Sequence, residues 1–238
     1  MEMRHAEKVC PRSLKGLPLM ITLEDIKKDP VVDAFIRKGN KYLGVMGFTE
    51  HSYRHVNLVS SIAKNTLERL GYPQRQAELA SIAGYMHDIG NVVSRNDHGI
   101  SGAVIAYPIL MQMGMHPEEI ATVISAIANH EEQYGHAVNS VAAALIVADK
   151  SDVHRSRVRN PDFATFDIHD RVNYAVEHSF LWVADDKRTI TMELTIDIDI
   201  CPVMEYFEIF LSRMIMCRRA ASFLKCDFEL VINGAKLL

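Results

Sequence analysis

The chain has 238 residues, 48% of them hydrophobic, enough to bury a sizeable core as one large domain, alone or with a small companion. Its 26 basic and 30 acidic side chains sum to a formal charge of -4, which excludes an extended nucleic-acid surface, so any polyanion site must be local. Apolar runs such as "VAAALIVA" are too short to cross a bilayer, and the opening "MEMRHAEKVC" lacks the apolar centre of a secretory signal. Cys10, Cys201, Cys217 and Cys226 form no CxxC pair, so a soluble cytoplasmic protein with reduced, buried thiols and no membrane partner is expected.

In chain order, Thr22 caps a helix in "TLEDIKKD", and Pro30 opens the next in "PVVDAFIRKGNKYLGVMG". In "HSYRHVNLVSSIAKNTLERLG", Val59, Ile62, Ala63, Leu67 and Leu70 form one helical stripe that Gly71 stops, and the i, i+4 spacing of His51 and His55 places them on one face. "PQRQAELASIAGYMHD" is a further helix ending at His87 and Asp88. "HGISGAVIAYPILMQMG" carries Pro108 inside it, "HPEEIATVISAIANHEE" starts with Pro117 at its first position, and Asn139 caps "NSVAAALIVADKSD".

About seven helices and no strand are therefore expected before residue 160. Beyond it, "SFLWVA" and the alternating "TITMELTIDI" flank the polar stretch Asp185 to Arg188 as a hairpin. Val203, Phe207, Phe210, Met214, Cys217, Ala221 and Leu224 recur at helical spacing, and "DFELVIN" alternates again. The expected fold is mainly α, a helical bundle with a small C-terminal α+β (ββαβ) unit. Its parts are N-terminal helices over residues 1–45, a helical metal-binding domain over 46–160 and the ββαβ unit over 161–238.

The chemistry concentrates at helix ends. His87 and Asp88 are adjacent, and neighbours on a helix point about 100° apart, so both meet one partner only if it is small and sits at the end. A metal ion meets that requirement. His98 opens a helix, His130 closes one and Asp149 lies near the end of another; imidazole with carboxylate suits Mn, Fe, Ni, Co or Zn.

In this order the residues resemble the HD superfamily of metal-dependent phosphohydrolases: His55 in "RHVNLVSSIA", His87 and Asp88 in "MHDIG", and Asp149 in "IVADKSD". His98 and His130 match the two-metal subset of that family, which includes the HD-GYP cyclic-dinucleotide phosphodiesterases and the HD-type diadenosine tetraphosphate hydrolases. The resemblance implies an all-helical core and two divalent transition-metal ions. Asp88 would bridge them, with His55, His87 and Asp149 on one and His98 and His130 on the other. It further implies attack on a phosphoester by a hydroxide held between the ions, with Asp88 able to take a proton; separately, the charge run "DKSDVHRSRVR" begins at the site and would set Lys150 or Arg155 to steady the ester anion. The expected partner is a small phosphorylated substrate such as a nucleotide.

Some HD-GYP proteins hold a third metal with a Glu one turn before the first His, where this chain has His51 beside Glu50. "NHEEQYGHAVNS" lacks the Gly-Tyr-Pro signature, which disfavours cyclic di-GMP, and Glu131 stands where the diadenosine tetraphosphate hydrolases carry Thr. Two rivals share the ligand set: a mixed-valent di-iron oxygenase of the HD type, and a nucleotide-binding sensor without turnover. Histidines also cap helices and decorate surfaces, the reading preferred for His116 and His136; Met111, Met113 and Met115 read as packing, and Arg157 and Arg159 as a solvated face. The C-terminal unit is a candidate surface for a homodimer.

Overall fold

The computed structural model describes residues 20–186 and 188–237; Cys10 and the opening decapeptide lie outside them. A helix that is apolar on every side has to be surrounded. The helix α7 (Ser140–Lys150) is surrounded, with every residue from Val141 to Ala148 fully buried. Around it pack α3 (Tyr53–Leu70), α4 (Gln74–Met86), α6 (Pro117–Ala128) and α9 (Val203–Phe223). Outside this layer, α1 (Leu23–Lys27) is held by a capping box between Thr22 and Asp25, and α2 (Pro30–Val45) starts from the carboxylate of Asp29. A 3-10 turn over Ile89–Val92 follows Asp88 and wedges between α2 and α5 (His98–Gln112).

Two expected helix positions shift. His51 lies outside α3, because Ser52 is its extended N-cap residue and both the Ser52 N–H and hydroxyl are taken by Glu50. His130 follows α6, which ends at Ala128 with Asn129 as its C-cap.

The C-terminal strands are β1 (Val176–Val183), β2 (Thr189–Ile196), β3 (Asp227–Ile232) and β4 (Ala235–Lys236), in the spatial order β1-β2-β3-β4. The β1/β2 pair is antiparallel, and β2 and β3 are parallel, joined by α9. Ile190, Met192, Leu194, Phe228, Leu230 and Ile232 are buried in the core that α9 covers. The second strand is shorter than its alternation suggests: the Asp199 N–H donates to Asp197 Oδ1, turning the chain and leaving Ile198 exposed. One helix, α8 (Ile168–Ala175), was not expected; capped by Asp167, it is only eight residues long and runs into β1 with no breaker between them.

The bundle closes because of one missing side chain. A Cβ on Gly84 of α4 would sit 2.8 Å from Ser60 Cα and 2.9 Å from Ser60 N of α3, and a backbone atom cannot move aside as a side chain does. Alanine gains about 1 kcal/mol of helix propensity over glycine, but overpacking costs about 1–3 kcal/mol and here must separate two helices. Gly84→Ala is expected to lower the denaturant midpoint at an unchanged m-value; an equal or higher midpoint would show that α3 and α4 can part freely.

Candidate metal centre

Four imidazoles meet at the helix ends, and their hydrogen bonds fix which nitrogen carries the proton. His87 Nδ1 faces the Gly84 carbonyl at 2.8 Å, His98 Nδ1 the Arg95 carbonyl at 3.0 Å and His130 Nδ1 the Ile127 carbonyl at 2.6 Å. His55 Nδ1 faces Asp152 Oδ2 at 2.6 Å. Carbonyls and carboxylates only accept, so each Nδ1–H donates and each neutral ring presents a lone pair at Nε2.

Those lone pairs converge. His55 Nε2 and His87 Nε2 are 3.2 Å apart, and His98 Nε2 and His130 Nε2 are 3.0 Å apart. Asp149 Oδ1 lies 3.4 Å from His55 Nε2 and 3.6 Å from His87 Nε2. Asp88 spans both pairs, with Oδ2 3.2 Å from His87 Nε2 and 3.4 Å from His55 Nε2, and Oδ1 3.3 Å from His98 Nε2. Two ligand groups result, His55–His87–Asp149 and His87–Asp88–His130, each with its donor atoms within 4.8 Å of one another. Asp88 Oδ2 is buried and accepts no hydrogen bond, an arrangement that costs free energy unless a cation meets it. The donor set therefore fits transition-metal ions.

Electrostatics carries the same demand. Burial opposes charge on His87 and His55, yet Asp88, Asp149 and Asp152 outweigh it and raise their pKa values to about 10 and about 9. Burial, with His98 and His87 beside it, drives His130 down to about 3. Burial would raise the carboxyls of Asp88 and Asp149, but His87 and Lys150 respectively lead the charges that hold both well below the usual range.

The six expected ligands, His55, His87, Asp88, His98, His130 and Asp149, are thus brought together. Lys150 is buried beside them, held by Asp149 at 2.6 Å and Glu132 at 3.2 Å. Arg155 is not brought to the cluster: its guanidinium pairs with Glu177 at 3.0 Å and covers the Tyr174 ring, because the chain turns away from the site in a 3-10 turn over Arg155–Arg157. The place expected for a third ion is filled by protein. His51 Nδ1 donates to the Thr49 carbonyl, its Nε2 lone pair meets Arg157 Nη2 at 3.1 Å, and the Glu50 carboxylate is spent on Ser52 and Arg54. Arg157, read as a solvated face, is buried and ties Asp152 to Glu50. His116 and His136 are exposed; Met115 is buried, whereas Met111 is exposed.

Sequence reasoning missed Asp152 and the acceptor role of Glu131. Asp152 binds His55 and takes a bidentate pair from Arg54, at 3.1 and 2.8 Å; its spacing of three from Asp149 was the available signal. Glu131 accepts the Gly99 N–H and lies 3.3 Å from His98 Nδ1.

A family model described as HD domain matches residues 48–157, the stretch that holds all six of these side chains. Residues 48–157 are an HD domain. The chain is also 27% identical, over 198 residues, to the uncharacterized protein MJ1020 of Methanocaldococcus jannaschii, covering 74% of this chain and 76% of that relative.

Two measurements probe this centre. Asp152→Asn keeps every HD ligand but weakens the acceptor behind His55, so metal affinity is expected to fall about 10–100-fold in chelator competition; unchanged affinity would make Asp152 a purely structural anchor. Raised histidine pKa values contribute stability that is complete below the unfolded value of 6.5 and disappears as pH rises through about 9 and 10. Chelated HD protein should accordingly lose stability from neutral pH towards pH 10, and metal-loaded protein should not; parallel pH profiles would refute the exchange of protons for metal.

Proposed function

We propose that this HD protein is a hydrolase of small phosphoesters, a nucleotide or a related molecule, working with two divalent transition-metal ions. The observation that supports it best is Asp88: one buried carboxylate with an oxygen toward each imidazole pair, its Oδ2 accepting no hydrogen bond and facing the Nε2 atoms of His55 and His87. His55, His87 and Asp149 would hold one ion, His98 and His130 the other, and Asp88 both. Bound metal supplies Lewis acidity, acidifying water and taking up charge on phosphoryl oxygens.

The chain's own residues do the positioning. Backbone carbonyls and Asp152 fix the imidazole tautomers, so the Nε2 atoms face inward before any ion arrives. Asn91 Nδ2 donates to Asp88 Oδ1 at 2.8 Å and stops the carboxylate rotating. Lys150, between Asp149 and Glu132, offsets their charge and orients Asp149. Asp88 and Asp149 are kept ionised, the form in which a carboxylate ligates a metal.

The test pairs metal content with turnover on a panel of nucleotides and simple phosphoesters. His98→Ala or His130→Ala should drop occupancy from two ions towards one and reduce turnover by orders of magnitude, since the His55 side keeps its ligands. Full metal content in both variants would show a single-metal site with these histidines structural. Absence of turnover with any of the candidate metals would overturn the hydrolase reading itself.

A further inference from the structure

Beside the metal centre lies a cavity of about 210 Å³, and part of its wall comes from outside the HD domain. Its floor includes three arginines, Arg95, Arg157 and Arg213, the last carried by α9. The three differ in what they have left to give. Arg157 has spent its donors on the Glu50 and Asp152 carbonyls and on His51, so it supplies a fixed positive charge and no free edge. Arg213 has only Nε engaged among the described residues, with Glu132 at 2.9 Å, and its guanidinium carbon lies over Phe210, 4.3 Å from the ring centre. Among the described residues Arg95 makes only long polar contacts from one nitrogen, 3.4 Å to Asn91 Oδ1 and 3.5 Å to His98 Nε2, and rests over Phe48. Two guanidiniums held over aromatic rings with open donor edges, backed by a third buried one, are a recognition surface for phosphate oxygens.

Two of its arginines link the cavity to the centre. Arg95 reaches His98 directly, and Arg213 reaches Asp149 through Glu132 and Lys150. We propose that Arg95 and Arg213 form the subsite for the phosphoryl group of the substrate, so that the C-terminal unit completes the active site of the HD domain and selects what enters it; this deepens the hydrolase reading and rests on it. The size and remaining chemistry narrow the ligand. Pockets that enclose a drug-sized molecule measure roughly 300–1,000 Å³, so this one takes a compact phosphomonoester and not a dinucleotide. Asp167 and Asp170 at the start of α8 line the same cavity and would repel a second anionic group, which calls for hydroxyl or amino donors on the organic part.

The test uses metal-loaded protein and inorganic phosphate, measured by calorimetry alongside metal content. Arg213→Gln and Arg95→Gln are each expected to weaken phosphate binding about tenfold or more with the metal content unchanged, because each removes a charge-assisted donor pair. Arg213→Lys should recover part of the loss, and Arg218→Gln, an exposed charge on the same helix, should change nothing. Wild-type phosphate affinity in both glutamine variants overturns the subsite, as does a loss of phosphate binding that tracks loss of metal. If the affinities fall as expected while the wild type hydrolyses no phosphoester, the anion subsite stands and the hydrolase reading fails.

Discussion

Repulsion between like groups organises this molecule. Imidazole lone pairs 3.0 and 3.2 Å apart, with buried Asp88 and half-buried Asp149 among them, are unfavourable neighbours in a medium of low dielectric unless positive charge lies between them. Metal ions would supply that charge, and in their absence protons do, which is why His55 and His87 are driven so far up. Holding the groups together regardless takes a scaffold that does not yield, and much of the fold answers to that need. The encased α7 delivers Asp149, the tight α3/α4 crossing at Gly84 sets His55 against His87, and the 3-10 turn at Ile89–Val92 seats Asp88 and Asn91.

Behind the ligands stands a second circuit of charge. Asp152 gathers Arg54, His55 and Arg157, and Arg157 in turn fastens the stretch around Glu50 and His51 to the far side of the HD domain. A buried carboxylate is tolerable here because cations and hydrogen bonds surround it. The same circuit disposes of His51, whose ring nitrogen meets a guanidinium and so is not offered to an ion.

The helices and the ligand order were legible in the sequence because both are local or directional signals. Caps at Thr22 and Asn139, the start at Pro30, the stop at Gly71 and apolar spacing of 3.6 residues are read one turn at a time. His87–Asp88, His98 and Asp149 stood out because polar groups at the ends of apolar helices need partners. What escaped depended on distant residues. Arg155 and Arg157 occupy one short run, and only the packing of Glu177 against one and Glu50 against the other sends them to different fates. Asp152 pairs with Arg54 and Arg213 with Glu132, across separations no periodicity reports. The helix α8 was invisible because its boundary with β1 is set by the sheet and not by a breaker.

The parallel pairing of β2 with β3 bears on the order of assembly. Parallel neighbours need a long crossover, and here α9 is that crossover, so the central pair of the sheet cannot form until the residues of β3 have been synthesised. The HD ligands are all in place on the chain well before then. A ribosome-bound chain thus possesses a complete metal-binding set while the helix bearing Arg213 still lacks the strand it rests on. Because metal binding free energy is available to folding, an ion held by these ligands would steady the bundle, including α7, against which α9 packs.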